Sequence, residues 1–252
     1  MREMNMITEP VQTRRALLTW QRPLEQGSSE QGDSRQRHAV AELVKCGEGL
    51  NFSYKSDLDP KSNLDSAKEA GFKGYPGLDL DSEHGSSTAT DVLKRRLPPQ
   101  NRPDFKEFME RFGLSTEAYF SILSLLAYTG ARLSGDSFGI SETFDGFDHP
   151  FRYVFDIAGY RHHRKNVLDL DEDEPVLFQP EPANRDDPSA VEVVRQNGAR
   201  VGYINRMQTL PVLRWLKHGN VDAWVFRING RSAYPRLFVM ADVEPNCQKA
   251  RI

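Results

Sequence analysis

Three acidic residues lie close together in the sequence, and a group of carboxylates is a common way for a protein to hold Mg²⁺. They are Glu181, Asp186 and Asp187. A nuclease site of this kind also needs a nearby lysine and a second acidic strand, and the sequence offers no clear candidate for either. Asn184 and the two aspartates can instead bond to their own backbone, and Pro188 fixes φ after them. The sequence therefore favours a turn here over a hydrolytic metal site.

Two adjacent histidines, His162 and His163, are a second candidate for metal binding. We expect them at the end of a strand, where neighbouring side chains point to opposite faces and cannot easily chelate one ion. No third ligand lies at a suitable spacing. The sequence also has no nucleophile motif of the G-x-S-x-G type and no glycine-rich phosphate loop. We therefore expect no metal site, no cofactor and no catalytic residue, and a protein that is not an enzyme.

Basic residues follow the first strand of the C-terminal part and could bind phosphate groups. A further basic residue, Arg206, begins a predicted helix, whose N-terminal amide groups also attract phosphate. The overall net charge is −3, but residues 1–150 carry a net charge of −5 and residues 151–252 carry +2. On charge alone, ordinary solvated surface is the favoured explanation of this balance over phosphate binding. The consecutive basic residues are Arg161, His162, His163, Arg164 and Lys165.

The elements around these residues predict a small closed barrel. Residues 190–195 alternate as a half-buried strand does, with Val191 and Val193 on one face. Asn197-Gly198 then predicts a type I′ hairpin turn, and residues 200–204 form the return strand. Further strands are expected over residues 151–157, 174–179, 221–229 and 236–243, and such a set with one helix fits a small barrel. That helix, over residues 207–218, should bury Leu210, Leu213, Trp215 and Leu216.

The N-terminal half predicts a mixed α and β region. Strands are expected over residues 14–20, 38–46 and 50–54. Residues 56–87 are rich in turn residues and predict a long irregular segment. Helices are expected over residues 88–96, 104–112 and 118–129, with Ser115 as an N-cap and Gly130 ending the last helix. Residues 141–150 predict a linker between the two halves.

Length and composition bound the class of protein. A chain of 252 residues suits one large domain or two small ones. No apolar run reaches about 18 residues, so no membrane-spanning helix is expected, and the polar N-terminus lacks the apolar core of a signal peptide. Cys46 and Cys247 lie far apart in the sequence and predict no disulfide framework. These features lead us to expect a cytoplasmic protein.

Two linked motifs in the C-terminal part resemble those of the HIRAN domain. Asn184, Asp187, Ala190 and Val191 match N-x-x-D-x-x-A-V, and Val201, Gly202, Tyr203, Ile204 and Arg206 match V-G-Y-I-x-R. An earlier segment, Ala158-Gly159-Tyr160-Arg161-His162-His163, is similar to the family's G-x-R followed by aromatic residues. The resemblance covers about residues 151–244. It implies a small β-barrel related to the OB type that binds DNA, notably the 3′ end of a single strand.

The resemblance also implies roles for individual residues. Arg161 and Arg206 would meet phosphates, Asp187 would bond to a 3′-hydroxyl, and bases would stack on aromatic side chains. His162 and Asp186 occupy positions where the family has aromatic residues, which favours general DNA binding over capture of a 3′ end. The predicted DNA-binding residues are Arg161, His162, His163, Asn184, Asp186, Asp187 and Arg206.

The N-terminal part is similar to the N-terminal lobe of HipA-type proteins over about residues 13–137. The motifs are Leu97-Pro98, the two helices that follow, and Leu133-Ser134-Gly135. No kinase core follows, so no catalysis is carried over. The predicted fold is α+β, with a HipA-lobe-like region over residues 1–140, a linker over 141–150, an OB-like HIRAN barrel with one helix over 151–244, and a tail over 245–252.

These observations predict a protein that recognises nucleic acid without catalysis, through its HIRAN domain. The expected partner is single-stranded DNA or a DNA 3′ end. An alternative is an interaction module, in which the HipA-like half holds another protein and the barrel is structural. No membrane partner is expected.

Overall fold

In the computed structural model, residues 5–23, 36–133, 135–163, 169–231 and 234–245 are described. The chain forms two compact units. The sheet unit consists of residues 12–105 and 119–145, and the barrel unit consists of residues 1–11, 106–118 and 146–252. Each unit is made of separate stretches of the chain, whereas the prediction divides the chain into consecutive domains. That predicted division stays a prediction. Arg164, Lys165 and the predicted tail from residue 246 onward lie outside the described residues.

The sheet unit is built on four antiparallel strands. They are β1 (Arg15–Gln21), β2 (Arg37–Cys46), β3 (Gly49–Tyr54) and β4 (Phe138–Glu142). Their order in the sheet is β3-β2-β1-β4. Strand β4 takes in residues 141 and 142 of the predicted linker, because Ser141 and Glu142 pair with Leu17 and Ala16 of β1. The helices of this unit are α1 (Leu64–Glu69), α2 (Ser86–Lys94) and α4 (Ile122–Thr129), whereas α3 (Phe105–Arg111) lies almost entirely in the barrel unit.

Two helix starts differ from the predictions. Helix α1 lies in the segment predicted to be irregular, and it begins with a reciprocal capping box between Asn63 and Ser66. Helix α4 begins after Ser121, whose hydroxyl accepts a hydrogen bond from the N–H of Ser124. The predicted cap, Ser115, instead accepts from the N–H of Glu117 in a local turn. Serine favours both settings, so the sequence alone does not separate them.

Arg96 is a buried cation that holds the sheet unit together. Its side chain is 2% exposed. The Nη1 and Nη2 atoms donate to the two carboxylate oxygens of Asp136 at 2.7 and 3.1 Å. Nε donates to the carbonyl oxygen of Ala131 at 2.6 Å, and Nη1 also donates to the hydroxyl of Tyr75 at 3.1 Å. A buried charge is tolerated only when it is paired and hydrogen-bonded in this way.

Glu142 is the buried carboxyl group of the same unit. It is fully enclosed and accepts hydrogen bonds from the hydroxyl of Thr13 and from the N–H groups of Thr143 and Phe144. Burial raises the pKa of Glu142 to about 7, although the hydrogen bonds from Thr13, Phe144 and Thr143 lower it. This carboxyl group therefore titrates near neutral pH inside the fold.

The barrel unit is built on six strands. They are β5 (Phe151–Ile157), β6 (Pro175–Pro180), β7 (Val191–Arg195), β8 (Arg200–Tyr203), β9 (Asn220–Arg231) and β10 (Tyr234–Glu244). Their order is β5-β10-β9-β6-β7-β8. The curled sheet closes where Ala158, just after β5, exchanges two backbone hydrogen bonds of 2.8 and 2.9 Å with Tyr203 of β8. The predicted OB-like barrel is confirmed. Besides α3, the helices α5 (Tyr160–His163) and α6 (Thr209–His218) belong to this unit.

Closure of the barrel requires a glycine at position 202. A Cβ atom there would lie 2.6 Å from the carbonyl oxygen of Ala158 and 2.6 Å from a methyl group of Ile157. Real Cβ atoms do not approach this closely, so any larger residue would push β8 away from the segment after β5. Gly202 thus allows the two backbones to pair.

The hairpin between β7 and β8 has a different turn from the one predicted. The N–H of Gly198 donates to the carbonyl oxygen of Arg195, and the N–H of Arg195 donates to that of Ala199, both at 2.9 Å. Gly198 has φ of +82°, whereas Asn197 does not have a positive φ. The turn is therefore a type I turn followed by a glycine bulge and not type I′. An Asn-Gly pair suits both, which explains the error.

Helix α6 buries a different stripe from the predicted one. Of the four residues expected in the core, Trp215 is buried but Leu210 is 65% exposed. Leu213 and Leu216 are half-buried, and Pro211 and Val212 lie in the core. Positions 211, 212 and 215 share one face at helical spacing, and Leu210 falls on the other side.

Residues 106–118 cover apolar side chains of the barrel sheet. A Cβ atom on Gly113 would lie 2.8 Å from the methyl carbon of Met240 and 3.2 Å from the ring of Phe226. The ring of Phe112 meets that of Phe238 edge-on, with centroids 6.1 Å apart. The six strands therefore bury part of their apolar surface against a segment that precedes them in the chain. No helix among the described residues is long and apolar enough to cross a membrane.

Candidate nucleic-acid interface

The loop between β6 and β7 is a turn organised by Asn184. Its Oδ1 atom accepts hydrogen bonds from the N–H groups of Asp186 and Asp187, both at 3.0 Å. The N–H of Asn184 donates to the carbonyl oxygen of Glu181 at 2.9 Å, and the N–H of Ala190 donates to that of Asp187 at 2.9 Å. The turn predicted from these residue types is present. It fixes the backbone of residues 184–187 at the end of two paired strands.

Asp187 faces Arg206 across this loop. Its Oδ1 atom accepts from the N–H of Ser189 at 3.0 Å and from the Ser189 hydroxyl at 2.6 Å. Its Oδ2 atom lies 3.8 Å from Nε of Arg206. Arg206 opens the short 3₁₀ turn Arg206–Gln208, which is capped by Asn205. Both charged side chains are partly exposed, at 21% and 29%, so a ligand can reach an acceptor and a cation side by side.

Glu181 connects the loop to strand β8. Its Oε2 atom accepts from Nδ2 of Asn184 at 2.6 Å and from the hydroxyl of Tyr203 at 3.0 Å. Its Oε1 atom accepts from Nη2 of Arg200 at 2.8 Å. The hydrogen bond from Asn184, followed by those from Tyr203 and Arg200, lowers the pKa of Glu181, although burial acts against them. Glu181 is therefore a carboxylate that holds the loop and β8 in register.

Arg200 and Tyr203 are site residues for which the sequence predicted no role. The guanidinium group of Arg200 lies 5.1 Å from the centre of the Tyr203 ring. Its Nε atom donates to Glu192 at 2.6 Å. Arg200 is thus paired with two carboxylates and lies against Tyr203, whereas Arg206 lies at longer range from the carboxylate of Asp187. Burial, and then the hydrogen bond to Glu181, raises the pKa of Tyr203, so its hydroxyl stays a donor.

The predicted residues after β5 lie on a short helix and not on a strand end. Arg161, His162 and His163 all belong to α5, because the chain turns immediately after Gly159, where φ is +75°. Nε of Arg161 donates to Nε2 of His162 at 3.1 Å. The ring of His163 lies 6.2 Å from that of Tyr203. The barrel closure therefore brings α5 beside β8.

The surroundings of His163 favour its neutral form. Burial, then the nearby charges of Arg200 and His162, lowers its pKa below the ordinary value of 6.5. A neutral imidazole beside Tyr203 offers a flat ring rather than a cation. The positive charge of α5 in the described residues therefore depends on its exposed Arg161 more than on His163.

Contacts join the predicted residues into one surface, which we call the rim. They run from His163 through Tyr203 to Glu181, then to the Asn184 turn, and from Asp187 to Arg206. Arg161 and His162 precede His163 on α5, and Asp186 is exposed on the Asn184 turn. In the part of the chain that the structure describes, no group of three or more His, Cys, Asp or Glu residues could hold a metal ion.

Residues 150–244 match the HIRAN domain. This part of the chain is a HIRAN domain. Two crystal structures are similar, each 20% identical and with a TM-score of 0.31. The HIRAN domain of human HLTF covers 37% of this chain and 76% of its own chain. A protein from Lactobacillus plantarum covers 38% of this chain and 98% of its own. No curated protein matches this chain.

The family match supports part of the functional prediction. The HIRAN domain is a nucleic-acid-binding domain, and it is the part of this chain that carries the rim. The similarity of residues 13–137 to HipA-type proteins is not confirmed by these comparisons and stays a prediction.

Proposed function

We propose that this protein recognises single-stranded DNA through the rim of its HIRAN domain, without catalysing a reaction. The observation that carries the proposal is the pairing of Arg206 with Asp187, which lies on the turn that Asn184 holds in place. A carboxylate and a guanidinium group 3.8 Å apart present an acceptor for a hydroxyl proton next to a cation for phosphate. The terminal nucleotide of a DNA strand carries both a hydroxyl group and a phosphate group.

The remaining rim residues divide between phosphate binding and base contact. Arg161 is exposed on α5 and would contact a second phosphate group. The rings of Tyr203 and His163 offer faces on which a base can stack. Phosphate contacts carry little sequence information, so we expect binding to DNA of many sequences.

Two residues weaken the capture of a strand end. Asp186 is exposed next to the proposed hydroxyl acceptor and repels phosphate. His162 is a smaller stacking surface than an aromatic hydrocarbon ring. We therefore propose that general affinity for single strands exceeds any preference for a free 3′ end.

Fluorescence anisotropy with labelled oligonucleotides tests this function. The probes are a single strand with a 3′-hydroxyl, the same strand with a 3′-phosphate, and the matching duplex. Wild-type protein should bind both single strands more tightly than the duplex. Asp187→Asn should reduce any difference between the two 3′ ends, and Asp186→Asn should strengthen binding to both equally, because each change removes one negative charge from a different position. Equal binding of single strand and duplex would contradict the proposal.

A further inference from the structure

The sheet unit contains an apolar groove that its fold does not fill. The groove lies between the end of α2, the segment that follows it and α4, and its volume is about 220 Å³. Apolar side chains form its walls. They are Leu97, Pro98, Phe105, Ile122 and Leu125.

Two cations border this groove. Lys94 is the last residue of α2, and Arg95 is its C-cap. Both are exposed and both line the groove. Within the described residues neither forms an ion pair or a side-chain hydrogen bond. One acid, Asp91, lies a turn earlier on the same helix, so the border of the groove is net positive although residues 1–150 carry a net charge of −5.

The size of the groove limits what can occupy it. Pockets that enclose a drug-sized molecule measure about 300–1,000 Å³, so a groove of about 220 Å³ suits a single large side chain better than a whole ligand. Protein interfaces commonly place one aromatic or aliphatic anchor in such a depression and surround it with charged groups. A nucleic acid would use Lys94 and Arg95 but would leave the apolar walls without a partner.

We propose that this groove is a docking site for a partner protein. The occupant is a short segment with one large apolar side chain and an Asp or Glu residue next to it. The apolar side chain fills the space between Leu97 and Leu125, and the acidic residue pairs with Lys94 and Arg95. The charge complementarity selects an acidic segment, and the apolar walls provide most of the affinity. This function is separate from the rim of the HIRAN domain and does not depend on it.

Selection from a display library of short random peptides on the full-length protein tests this proposal. Enriched peptides should share an aromatic residue or leucine beside an acidic residue. The double variant Lys94→Glu/Arg95→Glu should weaken their binding by about tenfold or more. Lys68→Glu/Lys73→Glu is the matched control, because it makes the same change in net charge at two exposed lysines of the same unit and should change the affinity less than about twofold.

The peptide itself supplies a second test that needs no protein variant. Replacing the apolar anchor of an enriched peptide with alanine should abolish binding, and replacing its acidic residue should remove the salt dependence. The proposal is overturned if no peptide is enriched, or if both double variants bind the enriched peptides equally. It is also overturned if Lys94→Glu/Arg95→Glu weakens binding of a single-stranded oligonucleotide but leaves peptide binding unchanged, since the groove would then serve nucleic acid.

Discussion

Arg96 in the sheet unit and Arg206 in the barrel unit use the same chemical group in different ways. The side chain of Arg96 is 2% exposed and donates to four different residues around it. Arg206 is 29% exposed and faces Asp187 at 3.8 Å. The first arrangement stabilises the fold and leaves nothing for a ligand, whereas the second is reachable from solvent. Partial exposure beside a fixed turn, more than the presence of charge, is the reason for proposing the rim as the binding surface.

The largest effect should come from removing the buried cation. We expect Arg96→Met to lower the free energy of unfolding by about 3–5 kcal/mol, because it leaves the carboxylate of Asp136 without its partner. Urea denaturation measures this loss. Arg102→Met is the control, since its ion pair with Asp104 is about half exposed and should be worth about 0–1 kcal/mol. Similar losses in both variants would show that burial is not what distinguishes them.

The buried carboxyl group of Glu142 should make stability depend on pH. Its pKa is about 7 in the fold against an ordinary value of 4.5, so the folded state keeps a proton that the unfolded state has released. Its contribution to stability is therefore complete below about pH 4.5 and decreases by about 3 kcal/mol as the pH rises to about 7.

Glu142→Gln isolates this contribution from those of other carboxylates. The variant cannot ionise, so its stability relative to wild type should increase across the same pH window. Unfolding free energies measured at several pH values for both proteins give the difference directly. If the unfolding free energies of the two proteins stay parallel from about pH 4 to about pH 8, the titration of Glu142 is contradicted.

A smaller effect should show whether residues 106–118 belong to the barrel unit. In Gly113→Ala, the new methyl group meets Met240 and Phe226. Gly198→Ala also places alanine at a positive φ, +82° against +66° at Gly113, but no atom lies within 4 Å of its new Cβ. We expect the Gly113 variant to lose about 1–3 kcal/mol more than the Gly198 variant, because of this crowding. Equal thermal stabilities would mean that the segment does not pack there.

The effect of Glu181 should appear in DNA binding and less in stability. Removing a negative charge near the rim would by itself favour DNA. We nevertheless expect Glu181→Ala to weaken binding by about tenfold, because the Asn184 turn and Tyr203 lose their common acceptor. Glu192→Ala removes an equal charge and a bond to Arg200 without touching the turn, and it should bind at least as well as wild type. Oligonucleotide titrations that show the reverse order would exclude the positioning role.

Local patterns predicted most of the fold. Strands β1, β2 and β3 and the six strands of the barrel follow runs of alternating apolar residues, so their existence was predicted and their ends agree closely. Strand β4 was missed because it is short and its partner, β1, lies far away in the sequence. The four-residue helix α5 was missed because one helical turn has no detectable periodicity.

The site was predicted where it depends on a turn and missed where it depends on closure of the barrel. Asn184 and Asp187 carry their own signal, since these residue types bond to the nearby backbone. The contact of Glu181 with Tyr203 joins β6 to β8 and has no local signal. Tyr203 is brought beside His163 only because Ala158 pairs with β8, and a sequence pattern cannot show such a pairing.

A salt titration of single-stranded DNA binding tests the central claim most directly. Affinity should be measured over a range of salt concentrations for wild type, Arg161→Ala, Arg206→Ala and, as a control in the sheet unit, Arg102→Ala. Affinity should fall steeply with salt, and each rim variant should weaken binding to all sequences alike. Each should also reduce the logarithmic salt slope by about one unit, whereas the control should not. Absence of binding at low salt, or rim variants that bind as tightly as wild type, would contradict the account.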